Sequence, residues 1–306
     1  MLIAAAHITP AALWTLVGEY TARGPRLHQA ACIQERCGED FAATARELLR
    51  RWLFTLEPVP TALRIVLSPE LATLVHTFPL EELPQNPEQL TAVLDFELEQ
   101  FLSDYDRHHY TTFALPLAAP NASHIRAIAM TYPRSELETL RTACAPEIPT
   151  ELIVPDLFTV AALWRYNYPE FVDRCVLALH LAPPYLDMLV LHHGKPAVLR
   201  TARLSGESLP ELVASCLEGI DALRQEGEVE AVFAFGVAAR REVLEALSEA
   251  LARNSGSQLE CRRLNAFRFW LPPQEQRVRE YAIRTAHLFW GCSAACLPVE
   301  HELFVL

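Results

Sequence analysis

The sequence predicts an α/β protein built from two copies of one unit, and three observations predict it. The stretch 175–204 reads as three short strands joined by tight turns, over 176–181, 185–192 and 195–204. Pro183-Pro184 and His193-Gly194 stand at the two joints, and Pro and Gly suit hairpin turns. A helix (209–224), a strand (231–235) and a further helix (239–253) follow. The same order opens the chain. A sheet that starts antiparallel and continues through helical crossovers needs helices on both faces.

In the first unit, 2–8 is an apolar strand, 13–20 a second and 26–34 a third. Thr9-Pro10 and Arg23-Gly24-Pro25 supply the turns. Over 41–54 the apolar residues Phe41, Ala45, Leu48, Leu49 and Trp52 fall at helical spacing behind Asp40, a good helix-capping residue. Strands at 63–67 and 71–78 come next, and Pro79 ends the second. A proline-punctuated linker at 84–87 marks a change of character. Beyond it an acidic helix at 90–102 places Leu90, Val93, Leu94, Leu98 and Phe101 on one face. Strands at 110–117 and 125–131, a helix at 136–143 and a short strand at 150–154 complete an α+β insert over 86–154. An apolar helix at 156–166 leads into the second unit. That unit ends with a strand at 259–264, a helix at 277–289 and an apolar tail at 303–306. The expected domains are 1–85 completed by 155–174, the insert 86–154, and 175–306 with its last helix returning towards the first domain. No repeat recurs at fixed period, so solenoids are excluded.

Composition narrows the function. With 306 residues, two domains each with its own core are affordable in length, and 51% hydrophobic against 21% charged residues makes a globular chain. The net charge of −12, from 26 basic and 38 acidic residues, argues against nucleic acid and against adsorption to an acidic membrane. No stretch supplies the roughly 20 apolar residues of a spanning helix. The first residues lack a basic leader and a cleavage site, so a cytoplasmic location is expected. Eight Cys are too sparse for a disulfide scaffold and are expected to be reduced. Ten Gly are about half the usual share of roughly 7%, which disfavours glycine-lined ligand loops.

Other chemistry finds little support. His108-His109 and His192-His193 are adjacent pairs, and neighbours on a strand point apart. Cys32 with Cys37 and Cys292 with Cys296 lack the paired spacing and the further ligands of a zinc site, so no metal is expected. Ser68-Pro69 and Ser205-Gly206 lack a nucleophile elbow.

The order of elements resembles the actin-like ATPase fold, two duplicated ribonuclease-H-like domains facing each other across a cleft. The insert is similar to the 1C subdomain of the FtsA-like branch. The segments LRIVLSPELATLVHTFPL, FELEQFL with Asp104-Tyr105 and Tyr110, and IVPDLFTVAA with Asp156 resemble PilM-type pilus assembly proteins, with the cytoplasmic half of GspL-type secretion proteins as the nearest competitor. The resemblance implies a nucleotide site at three places. The first turn should carry Asp and Gly; here it holds Thr9, Pro10 and Ala11. The second holds Pro183 and Pro184, which remove two N–H donors. Of a Gly pair near the adenosine, Gly236 alone remains, and Asp187, the carboxylate nearest a turn, lies inside a strand. ATP and Mg²⁺ are therefore not expected, no catalytic residue is assigned, and a non-catalytic scaffold is. The resemblance also implies a partner: the tail of a single-span inner-membrane protein like PilN, docking between the insert and the first domain, with a motor ATPase as a further partner. Phe96, Glu97, Glu99, Tyr105, Tyr110 and Phe113 are the expected contacts, with an acidic rim for a basic tail. The chain would then sit at the inner membrane through its partners. Two alternatives stand: a nucleotide-binding ATPase with an atypical phosphate site, and an interaction scaffold unrelated to secretion.

Overall fold

The computed structural model describes every residue except 38–39, 81–86, 103–105, 107, 118–124, 205, 224–227, 256–258, 298–303 and 306. β1 (Leu2–Ile8), β2 (Leu13–Thr21) and β3 (Gly24–Ile33) run antiparallel in succession. α1 (Phe41–Leu53) then crosses to β4 (Ala62–Leu67), which lies parallel to β1. The Asp40 side chain accepts the Ala43 N–H at 3.0 Å and caps α1, while Arg50 and Arg51 occupy its last turn. Its buried stripe contains all five apolar residues that the spacing selects.

A short 3-10 turn at Pro69–Leu71 precedes β5 (Leu74–Leu80), α2 (Pro87–Phe101), β6 (Tyr110–Leu117), β7 (Ile125–Pro133), α3 (Arg134–Arg141) and β8 (Thr150–Pro155). A second 3-10 turn, Asp156–Thr159, opens α4 (Val160–Asn167). The later unit contains β9 (Cys175–Ala182), β10 (Tyr185–His192), β11 (Lys195–Arg203), α5 (Leu209–Leu223), β12 (Ala231–Phe235), α6 (Arg241–Ser255) and β13 (Glu260–Arg263). It closes with α7 (Gln276–Thr285), a 3-10 turn Ala286–Leu288, α8 (Trp290–Ala295) and β14 (Phe304–Val305).

Two five-stranded sheets result, ordered β3-β2-β1-β4-β8 and β11-β10-β9-β12-β13. The topology is the same in both: three antiparallel strands, then two added parallel. A third sheet, β14-β6-β7-β5, belongs to the insert. Its strands differ from the expected partition. The strand at 150–154, read from the sequence as part of the insert, is β8 and lies parallel to β4, with Ile65 opposite Ile153. Ile153 and Val154 are buried in the same core as Ile65 and Val66, so burial draws the strand into the first sheet. β5, read as part of the first domain, pairs instead with β7 in the insert. The helix expected over 277–289 ends early, at Thr285 of α7, and passes through the 3-10 turn to a separate α8 beyond it.

Three cores hold the molecule. One lies between α5, α6 and the outer face of the second sheet, and takes Leu177, Leu179 and Leu181 of β9. A small one packs α2 through Leu90, Leu94 and Leu98 on Phe78, Ala114 and Ala127 of the insert sheet. The largest joins the two halves: Val176 and Ala178 of β9 share it with β1, α1, α4 and α8. The period-2 alternation along β9 thus assigns odd residues to the outer core and even ones to the inner. His180 has the parity of the inner core.

Candidate functional site

His7 and His180 occupy matching positions in the two sheets. His7 stands one residue from the end of β1, opposite Val66 of the parallel β4; His180 stands near the end of β9, opposite Phe235 of the parallel β12. Both are buried. A histidine in that place needs a partner, since an unpaired buried imidazole loses its hydrogen bonds to water. Each has a carboxylate. His7 Nε2 lies 2.8 Å from Asp156 Oδ2, and His180 Nδ1 lies 2.9 Å from Asp187 Oδ2. Asp156 Oδ1 also accepts the Leu157 N–H at 2.5 Å, and Asp187 Oδ1 accepts the Thr201 hydroxyl at 2.7 Å.

Trp290 of α8 lies between the two histidines. Its ring meets His7 edge-on at 5.4 Å between centroids, His180 at 5.2 Å and Phe235 at 4.7 Å. His180 in turn stacks on Phe235 at 5.1 Å. α8 is short and buried throughout, and the small residues Gly291, Ser293, Ala294 and Ala295 let it lie close against the first sheet. A Cβ on Gly291 would come within 2.9 Å of His7 Nδ1, so only glycine fits there. The end of α8 is satisfied from the first sheet: Arg64 Nη1 donates to the carbonyls of Ala295 (3.0 Å) and Leu297 (2.9 Å), and the Tyr20 hydroxyl donates to that of Cys296. The last helix is therefore anchored to one half while its tryptophan reaches the other.

Several carboxyls surround His180. Burial alone would lower the His180 pKa, but the hydrogen bond and charge of Asp187, with Asp156 and Glu70 behind it, outweigh burial and raise it. Glu70 as a whole residue is exposed, yet its carboxyl is pushed up to about 7 by desolvation, with His180 opposing and Asp187 and Asp156 reinforcing. Burial, aided by Asp156, drives the Tyr132 phenol well above its ordinary value. Among the described residues no three His, Cys, Asp or Glu side chains converge as a metal set.

Comparison with solved structures decides the fold. The chain matches, over 97% of its length, 99% of a chain of the "PilM-PilN type IV pilus biogenesis complex", at a TM-score of 0.64 and 16% identity. A protein of unknown function with an actin-like ATPase fold from Bacteroides thetaiotaomicron VPI-5482 matches over 92% of this chain and 95% of its own, at 0.55 and 10%. This chain has the actin-like ATPase fold. The ethanolamine utilization protein EutJ from Carboxydothermus hydrogenoformans is similar over 96% of this chain and 89% of its own, at 0.50 and 10% identity. No family model matches the sequence, and no curated protein does.

The turn after β1, the turn after β9 and the end of β12 are the three places where the resemblance puts a nucleotide, and several of their N–H donors are engaged or missing. The Thr9 N–H bonds the Ala12 carbonyl at 3.0 Å and the Ala12 N–H bonds Thr9 Oγ1 at 3.1 Å, closing the first turn on itself; Pro10 has no N–H. In the second turn Pro183 and Pro184 carry none, and the Pro184 carbonyl accepts from Leu204. Gly236 keeps its positive φ of 93°, but its N–H bonds the His287 carbonyl at 3.1 Å. A phosphate held by backbone needs several convergent free N–H groups. Asp187 is a hydrogen-bond partner of His180, and Asp156 of His7.

The expected partner contacts that the structure describes differ in exposure and in the element they lie on. Phe96, Glu97 and Glu99 are on α2, with Phe96 65% exposed. Glu97 lies 3.5 Å from His76 of β5, whose ring packs on Phe101 at 4.1 Å. Phe113 is buried on the opposite face of the insert sheet, against Tyr132 at 5.9 Å. Tyr110 begins β6, and Tyr105 lies outside the described residues. The helical face expected for α2 splits as well. Leu90, Leu94 and Leu98 are buried, whereas Val93, Phe96 and Phe101 are exposed.

The pattern missed the two histidine–aspartate pairs and Trp290. One signal was present. Ala6-His7-Ile8 and Leu179-His180-Leu181 set a histidine between apolar residues near the end of the first strand of each unit. A titratable residue at one place in both copies marks a position that the fold, not the local sequence, puts to use.

Proposed function

We propose that this chain is a non-catalytic actin-like scaffold of type IV pilus or type II secretion assembly, holding the cytoplasmic tail of an inner-membrane partner. The observation that carries the non-catalytic part is the Trp290 ring between His7 and His180, where the fold would seat a nucleotide. The self-bonded first turn, the two prolines of the second and the carboxylates Asp156 and Asp187, each already committed to a histidine, support it. The partner is supported by the whole-chain likeness to a protein solved in a complex named for PilM and PilN. Among the described residues no helix is long and apolar enough to cross a membrane, so attachment at the inner membrane would run through the partner. On the insert, exposed Val93 and Phe96 of α2 with Asp95, Glu97 and Glu99 suit a tail of alternating basic and apolar residues.

Two titrations test this reading. Mg-ATP at 100-fold excess over a dissociation constant would add about 2.7 kcal/mol of stability to a binder. No thermal shift is expected, and a clear one favours the atypical ATPase instead. Peptides copying the cytoplasmic tails of single-span proteins encoded beside this chain are expected to bind, and Phe96→Ala to weaken them by about tenfold. Failure of every such peptide counts for a scaffold outside secretion.

A further inference from the structure

A second concave surface lies far along the chain from the insert, at the junction of the two halves. Leu27 of β3 faces Phe267, Trp270, Leu271 and the Pro272-Pro273 step across a groove of about 230 Å³, with α7 along one side. Ligand and partner sites favour such junctions. The walls are preformed. Leu27 N–H bonds the Leu271 carbonyl at 3.2 Å and Leu271 N–H bonds that of Pro25 at 2.7 Å, so the 264–271 segment is tied to the edge of the first sheet. The Trp270 indole N–H donates to Ser293 Oγ at 2.7 Å, which leaves an apolar ring towards the groove. That ring lies on Gly18, where a Cβ would be 2.4 Å away. The two prolines offer no N–H, so this wall cannot receive an added strand.

The rim is formed by α7 and has a definite chemistry. Ile283, at 68%, is the most exposed large hydrophobic side chain among the described residues. One turn before it, Arg279 is held over the groove by a hydrogen bond from Nη2 to the Pro273 carbonyl at 3.3 Å. Arg279 is the one charged residue among those lining the groove, in a chain whose net charge is −12. An apolar slot with a guanidinium at its rim selects its occupant by complementarity.

We propose that this groove is a second docking site, for an acidic segment of a protein partner that inserts one large apolar side chain beside Ile283 and sets a carboxylate on Arg279. The preferred partner differs from the basic tail suited to α2, so the two sites discriminate by charge. Neither proposal depends on the other.

Full-length protein, titrated with anilinonaphthalene sulfonate as an apolar anionic probe and with a fluorescent Glu-Glu-Leu-Phe-Glu peptide, tests it. Both probes are expected to bind and to compete. Arg279→Glu and Ile283→Asp each change an exposed side chain, so thermal melts should stay near wild type, and each is expected to weaken the peptide at least about tenfold. Phe96→Ala is expected to leave it unchanged. Equal binding by the variants, equal binding of a Lys-Lys-Leu-Phe-Lys peptide, or capture of anionic lipid vesicles that Arg279→Glu abolishes while the peptide is ignored would each overturn the proposal, the last in favour of a membrane surface.

Discussion

The two halves hold their cleft histidines by different means. In the second sheet His180 takes its carboxylate from the next strand of the same hairpin, since Asp187 lies opposite it in the β9–β10 ladder, and Thr201 of β11 completes the set. In the first sheet the position opposite His7 is Trp14, and the carboxylate comes instead from Asp156, at the return from the insert into α4. The local pair leaves no fully buried side-chain polar atom unpaired. The distant pair leaves His7 Nδ1 without a hydrogen bond, covered by Gly291 of α8. One fold position can thus be satisfied within a hairpin or across the molecule. The distant version ties β1 to the connection between the halves and depends on the last helix to seal it.

That contrast can be broken by substitution. The largest effect is expected from Trp290→Ala, which removes the ring that both pairs share. Urea denaturation should show a loss of about 3–5 kcal/mol, as for other buried tryptophans. A loss below about 1 kcal/mol would mean that the ring does not join the halves. Next come the carboxylates. Asp156→Asn should cost about 1.5–3 kcal/mol, because a buried charge-assisted bond and the Leu157 contact both weaken. Asp187→Asn should cost less, about 1 kcal/mol, since an amide oxygen still accepts from Thr201. Equal losses would erase the distinction between local and distant pairing.

Titration sharpens it further. The folded His180 pKa is raised, so its contribution to stability is fully present below about pH 6.5 and is lost as pH rises through the folded value. Asp187→Asn should flatten that part of the stability–pH curve, and Asp156→Asn should leave most of it. Glu70 runs the same way for a different reason. Its carboxyl, raised from 4.5 to about 7, favours the protonated form in the fold. Its contribution is present below about pH 4.5 and declines as pH rises towards 7, and Glu70→Gln should remove the decline. Because Glu70 is open to water, this is the smallest effect, under about 1 kcal/mol.

Much of the architecture was legible in the chain. Period-2 apolar runs and Pro or Gly turns identify both three-strand units, and Phe41 to Trp52 identify α1 and its buried face. The poverty of the cleft turns in donors is equally local, because Pro lacks an N–H wherever it stands. The insert boundary was not legible. Thr150–Pro155 and Leu74–Leu80 are both short apolar strands, and which sheet each joins is set by partners far away in sequence. The α2 contacts were half legible: the residues are on the helix as read, but Phe113 faces the opposite side of the insert sheet, which parity alone cannot reveal without knowing which face α2 covers.

By itself the sequence determined the elements, their hairpin order and the chemistry of the two cleft turns, since these arise from preferences acting over a few residues. Only the tertiary structure decided what occupies the cleft. Trp290 and Asp156 meet His7 only through contacts distant in sequence. No local pattern near His7 encodes a neighbour from the far end of the chain, and burial of the shared core is what brings it there.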